Sequence, residues 1–291
     1  MATETVTIHQ PKDALAKFTY LEWHDHYRTE RPFQALDILH NAVDKREGNV
    51  SFKEGGKEVV HDVRGHEQDF TLDKHGFLFA NAPTSLSPSD FQDDEKIKEK
   101  YLPECETYLK QYFDNVDQVH IIHYRVRCTN SSDPNSPTGP AKVVHVDQSG
   151  PHVTERIHKA FPDCADFLLR GHVRLINLWR PINGPIQNWP LAVCDANSLP
   201  EENLIETDRI RKAQKGNTRF VIQAPSMKWY YQSKMEDNTL LVFKSYESQD
   251  GVAKYASHCS FPLPTAGPMT PPRESIELRA FVFTYPRDES T

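Results

Sequence analysis

From about residue 117 onward the chain is a series of short β-rich runs. VHIIHYRVR (119–127), KVVHVD (142–147), HVRLINLWRP (172–181), PLAVCD (190–195), TRFVIQA (218–224), TLLVFKS (239–245), ASHCSF (256–261) and ESIELRAFVFTY (274–285) are separated by Pro-, Gly- or Asp-rich breaks. Several alternate apolar with polar residues, the period of a strand with one buried face. Strands of this number and length predict a sandwich or a jelly-roll barrel. A jelly roll has a mouth in which a metal and a small ligand can lie between two sheets. VTERIHKAFPDCADFLLRG (153–171) breaks the pattern and predicts one or two helices, ending at Gly171 as a C-cap.

The first 115 residues mix both periodicities. VSFKEGGKEVVHDV (50–63) predicts a hairpin turning at Gly55-Gly56, and GFLFA (76–80) a short strand. From Asp90 to about Phe113 the pattern is helical, with Ile97, Tyr101, Leu102, Tyr108 and Leu109 on one stripe and acidic residues at its start. Pro103 predicts a kink or a division into two helices. The expectation is a mainly β chain with some α: a jelly-roll core over 116–291, with an N-terminal α/β region over 1–115 packed on it as a helical layer. The two parts are expected to form one integrated domain.

Composition excludes several classes. The 291 residues carry 34 Lys+Arg against 41 Asp+Glu, a formal charge of -7, so the basic footprint of a nucleic-acid binder is missing. No run approaches the roughly 18–20 apolar residues of a membrane helix. MATETVTIHQPK lacks the basic and apolar regions of a secretory signal, and PRDEST carries no lipidation or peroxisomal signal. The 5 cysteines are spread without a CxxC, so reduced thiols and a cytoplasmic location are expected. There is no G-x-S-x-G, G-x-G-x-x-G or P-loop, which removes the serine-hydrolase and nucleotide-binding readings.

Fourteen histidines draw attention to metal chemistry. His145-Val146-Asp147 closes a strand-like run just before the break Gln148-Ser149-Gly150-Pro151. On a strand, residues i and i+2 point to one side, so His145 and Asp147 can face a single ion. His258, in an apolar strand near the C-terminus, is the best-placed third ligand. Two histidines and one carboxylate with open positions opposite are the ligand set of non-haem Fe(II) oxygenases. The alternative is a strand-end histidine beside an Asp turn cap, because about two His-x-acid pairs arise by chance at this composition. His24-Asp25-His26 reads as a solvated surface run. His120 and His123 face opposite sides of a strand, so joint ligation is not expected.

The C-terminal strand supplies a second constellation. Arg273, Ser275, Glu277 and Arg279 share one parity, and an arginine in an apolar strand needs a partner. It can clamp a carboxylate bidentately or simply pair with Glu277. Asn177, alternating with Leu175 and Trp179, is placed either to hydrogen-bond a ligand or to satisfy a neighbouring strand. Trp179, Trp189, Trp229, Tyr230 and Tyr231 are candidates for an apolar substrate wall, and Tyr124 for a ligand contact. For each aromatic the alternative is ordinary core packing.

Together, HVDQS, RLINLWRPINGPIQNWPLAVCD, WYYQSKM followed by LLVFKSYES, SHCSF and RESIELRAFVF resemble the fungal Fe(II)/2-oxoglutarate oxygenases related to gibberellin desaturase and cephamycin hydroxylase. DVRGHEQDFTLDKHGF fits the N-terminal part, and the resemblance spans roughly residues 55–285. It implies a double-stranded β-helix (jelly-roll, cupin-like) fold, Fe(II), 2-oxoglutarate and O2. The reaction implied is hydroxylation, desaturation or endoperoxidation of a secondary metabolite. Carried over residue by residue, His145, Asp147 and His258 match the iron ligands. Either Arg273, with Ser275 in an Arg-x-Ser pattern, or the deeper Arg279 would hold 2-oxoglutarate, and Asn177 could assist. In SYES, Glu247 stands where the pattern has Asp, and that position is expected in a loop. The acidic charge and the aromatic candidates favour an uncharged, apolar substrate such as a terpenoid or meroterpenoid. A homodimer through the N-terminal region is expected, with no nucleic-acid or membrane partner. Rival readings are a jelly roll that binds apolar ligands without catalysis, a cupin-like zinc or manganese isomerase or hydrolase, and an iron oxygenase independent of 2-oxoglutarate.

Overall fold

The computed structural model describes residues 12–37, 46–129, 139–211 and 214–287. Most of the two terminal segments read for targeting signals lies outside these residues. Fourteen strands form two sheets. The larger has the order β1 (Ala14–Leu21), β3 (Phe52–Asp62), β11 (Trp229–Tyr231), β8 (Leu191–Cys194), β13 (His258–Ser260), β6 (His145–Val146), β10 (Gln214–Val221), β9 (Leu204–Arg211), β2 (Phe33–Asp37). The smaller has the order β4 (Phe77–Asn81), β12 (Thr239–Glu247), β7 (His172–Pro181), β14 (Glu274–Thr284), β5 (Gln118–Cys128). Phe77, Phe79, Trp179, Leu241 and Phe243 of the smaller sheet meet Leu191 and Val193 of the larger in one core, so the sheets face each other as in a jelly roll.

Strand parity decides what each face carries. On β14, Ile276, Leu278, Ala280 and Val282 pack outward under helix α3 (Leu102–Tyr112), against Cys105 and Leu109. Ser275, Glu277 and Arg279 therefore point inward, between the sheets. Both faces of β14 and β7 are covered, so their runs are buried almost throughout. Helices α4 (Gly150–Ala160) and α5 (Ala165–Arg170) close one end over Val173, Leu175, Phe281 and Phe283.

Several expectations need revision. Residues 50–63 form no hairpin: β3 is one strand, paired antiparallel with β1. Its register advances from Glu54 to Lys57 while β1 advances from Lys17 to Thr19, so Gly55-Gly56 is a bulge. A Cβ on Gly55 would lie 2.9 Å from the Tyr20 ring, which explains the glycine. Pro103 does not split its helix. The backbone stays helical from α2 (Asp94–Lys96) through a wide π turn (Ile97–Tyr101) into α3, and the wide turn directly before the proline accommodates its ring and missing N–H. Gly171 is the C-cap of α5, as expected, but in extended backbone (φ -85°, ψ -166°) and not in the left-handed conformation that usually calls for glycine. It is glycine because a Cβ there would lie 2.3 Å from the Thr284 carbonyl oxygen. Glu247 is no loop residue. It ends β12, buried, paired with His172 (2.5 Å) and Lys244 (2.8 Å). All five cysteines are unpaired. Among the described residues, no helix is long and apolar enough to cross a membrane.

Candidate metal centre

The two-residue strand β6 lies between β10 and β13, and its register sets His258 directly opposite His145. Asp147 follows two residues after His145 and projects to the same side. The ligand atoms of the three residues all lie within 4.8 Å of one another. His145 Nε2 is 3.5 Å from Asp147 Oδ1, and His258 Nε2 is 3.9 Å from Asp147 Oδ2. Sheet pairing thus joins residues that sequence separates widely.

Each imidazole is oriented by its own backbone. His145 Nδ1 lies 2.8 Å from the Val143 carbonyl and His258 Nδ1 3.2 Å from that of Ala256. A carbonyl only accepts, so Nδ1 carries the hydrogen and donates, and both Nε2 lone pairs face Asp147. Burial, with His145 nearby, pushes His258 down to about 4, which keeps the ring neutral. Burial alone would raise the Asp147 carboxyl. The Arg279 guanidinium, 2.8 Å from Oδ1, outweighs it and holds the group well below the usual carboxylate range. Asn177 Nδ2 donates to Asp147 Oδ2 at 2.6 Å, and the Ser245 hydroxyl donates to Asn177 Oδ1 at 2.8 Å. Ser245 therefore fixes which way the Asn177 amide points. Two imidazole nitrogens and one supported carboxylate on a single side fit a divalent iron ion.

The two arginine candidates differ in what they touch. Arg279 is engaged, with Asp147 at 2.8 Å and Glu277 at 2.7 Å. Arg127 pairs with the other Glu277 oxygen at 3.2 Å, and the two guanidiniums hold that carboxyl down at about 2 against the upward push of burial. Arg273 is 3% exposed and, among the described residues, has no carboxylate within ion-pair distance, although Glu277 lines the same cleft. Its Nη1 donates to the Trp189 carbonyl (2.9 Å) and Ser260 Oγ (3.0 Å), while Nε and Nη2 have no partner. The buried Ser275 hydroxyl also lacks one. Arg273 borders a narrow cleft with His145, His258, Trp179 and Leu191.

A wider cavity of about 1390 Å³ opens in front of His145 and Asp147. The expected aromatic wall does not line it. Trp229 is buried in the core against Phe18, Tyr231 against Phe261, and Tyr230 against Phe70 and Phe77. Tyr124 bonds Asp94 under the helical layer, and only Trp179 reaches the cleft. Trp229 and Tyr231 fall on the face of β11 turned from the space between the sheets, while Tyr230, on the other face, is taken up in the inter-sheet core away from the cavity. Its apolar surface comes instead from Phe52, Ile121, Ile122, Phe220 and Phe281. Nor does the net charge describe it: nine lining side chains are Lys or Arg and two are Asp or Glu. Sequence reasoning missed Ser245 and all of these cations but Arg279. A lone serine in the apolar run TLLVFKS was the available signal for the first; the cations come from separate elements and left none.

A family model described as an oxidoreductase/YMDC permease-like domain matches residues 18–283. The hydroxylase/desaturase CTB9 of Cercospora beticola is 32% identical over 249 residues, 77% of this chain and 75% of that protein. The alpha-ketoglutarate-dependent dioxygenase tstK of Talaromyces stipitatus is 30% identical over 234 residues, 77% of this chain and 83% of its own. The solved iron and alpha-ketoglutarate-dependent endoperoxidase NvfI shares the fold, with a TM-score of 0.84 at 24% identity over 94% of this chain and 99% of that one. By the extent of the family match and by these relatives, the chain belongs to the fungal Fe(II)/2-oxoglutarate-dependent oxygenases.

Proposed function

We propose that this enzyme oxidises a small organic molecule by hydroxylation, desaturation or endoperoxidation. In this proposal Fe(II) is held by His145, Asp147 and His258, and the far carboxylate of 2-oxoglutarate by Arg273 and Ser275. The observation that carries it is the set of three ligand atoms within 4.8 Å, with both histidine tautomers fixed. The donors without hydrogen-bond partners on buried Arg273, which borders the cleft with His258, and on Ser275, two residues along the same strand, support the second part, since an unpaired buried cation is costly unless an anion meets it. When bound, iron, O2 and 2-oxoglutarate supply the oxidation, with succinate and CO2 as coproducts. The chain's own part is positional. Asn177 and Ser245 hold the Asp147 carboxylate, backbone carbonyls hold the imidazoles, and Arg279 keeps Asp147 ionised. His145→Ala and Asp147→Ala should each abolish substrate-dependent succinate release; undiminished release from either would refute the assignment. A cupin-like zinc or manganese enzyme would use the same triad but not the Arg273 donors. It predicts turnover that ignores 2-oxoglutarate.

Three narrower points belong to the same proposal. Residues 1–115 and 116–291 act as one unit, which the pairing of β3 with β11 supports. The enzyme is cytoplasmic, in keeping with five free thiols. It dimerises through β1 and β3, whose cross-strand pair Leu15 and Val59 is exposed at a sheet edge. Light scattering of the purified protein tests the last point, and a monomer would reject it.

A further inference from the structure

The cavity beside the metal centre is cationic in a chain whose net charge is -7. Part of that charge is already matched: Arg127 and Arg279 share Glu277, and Lys215 meets Asp208 at 2.8 Å. Arg125 on β5, Arg156 on α4 and Arg209 on β9 are different. Each is half-buried, and among the described residues none has a carboxylate within ion-pair distance. Arg209 Nε is buried with no partner. Burial depresses all three guanidiniums, and neighbouring cations add to it: Arg127 for Arg125, Arg279 for Arg156, Arg211 for Arg209. Three arginines without an ion pair, converging on one cavity from three elements among further cations, are relieved of that repulsion when an anion enters. The same space is lined by Phe52, Phe220 and Phe281, so one side is apolar. Its volume suits a small molecule and is too small for a macromolecule.

Building on the oxygenase reading, we propose that the substrate is an organic acid: an apolar scaffold carrying at least one carboxylate, bound by Arg125, Arg156 and Arg209. The apolar part lies against the phenylalanines, and the charged group sets which carbon faces the metal. This replaces the uncharged substrate expected from the chain's acidic balance. A matched pair of probes tests it. 1-Pyrenebutyric acid and its methyl ester are titrated by fluorescence into protein loaded with Mn(II) and saturating 2-oxoglutarate, so the cosubstrate's own site is filled. The acid should bind at least about tenfold tighter than the ester, and added salt should weaken only the acid. Arg125→Gln with Arg156→Gln should lower acid affinity by about tenfold or more and leave the ester unchanged. Arg209→Gln repeats the test from another element should the double variant fail to fold. Equal affinity for acid and ester, no binding of the acid, or acid binding unchanged in the variants overturns the proposal. The visible band of the anaerobic Fe(II)–2-oxoglutarate complex is read in parallel. If it forms while the acid shows no preference, the substrate proposal alone fails; if it never forms in the wild type, the oxygenase reading fails instead.

Discussion

At the scale of single residues, the site rests on donors and acceptors two bonds away from the ligand atoms. Asn177 is the clearest case: its amide meets Asp147, and Ser245 orients that amide. Asn177→Leu should lower Fe(II) affinity by roughly 10–100-fold, and Ser245→Ala by less, because the first deletes a 2.6 Å hydrogen bond to Asp147 and the second a longer one of 3.3 Å while freeing the amide to turn. Competitive metal titration measures both, and an unchanged affinity in Asn177→Leu would mean that Asp147 needs no such support. Arg273→Ala should raise the apparent KM for 2-oxoglutarate by about tenfold or more, with a smaller change in kcat. Arg279→Ala should instead weaken metal binding, since its guanidinium sits on Asp147. The clustering of His145, Asp147 and His258 could be anticipated from strand parity and from the order of the motifs. Arg273 and Arg279 could not be separated that way. They share a parity, and only their neighbours tell them apart: among the described residues Arg279 has two carboxylates at ion-pair distance and Arg273 has none.

At the scale of elements, close approach matters more than conformational freedom. Gly171 has a negative φ that any residue adopts, yet its missing Cβ makes room for the Thr284 carbonyl at the end of β14. Gly171→Ala should cost about 1–3 kcal/mol, read as a lower urea midpoint at unchanged slope. The end of β12 carries a pH-sensitive knot. Burial would raise Glu247, but its contacts with His172 and Lys244 bring it from 4.5 to about 2. A depressed carboxyl stabilises the fold fully above its unfolded value and loses that contribution as pH falls toward its folded one. Between about pH 4.5 and 2 the native protein should therefore lose on the order of 3 kcal/mol that Glu247→Gln does not lose. Parallel acid-unfolding curves of the two proteins would refute this. Long apolar strands such as β7 and β14 were legible because both faces are buried. The bulge in β3 was not: Gly55-Gly56 reads as a turn unless the Tyr20 ring facing it is known. β2 and β11 are short and draw their definition from partners, and the charged run of β9 hides its alternation.

Over the whole molecule, the jelly roll follows from strand number and spacing, while the character of its mouth does not. Net charge sums over every surface, whereas the cavity samples the few side chains that β5, α4, β9 and β14 turn toward one point. An acidic chain can in this way enclose a basic site. The same convergence builds the candidate metal centre, where His145 and His258 are adjacent only because β6 and β13 pair. Anaerobic titration of the apoprotein with Fe(II) and 2-oxoglutarate tests that convergence most directly. The account predicts a weak visible charge-transfer band that saturates at one iron per chain and is lost in His258→Ala. A band of full intensity in His258→Ala, or none in the wild type, would contradict it.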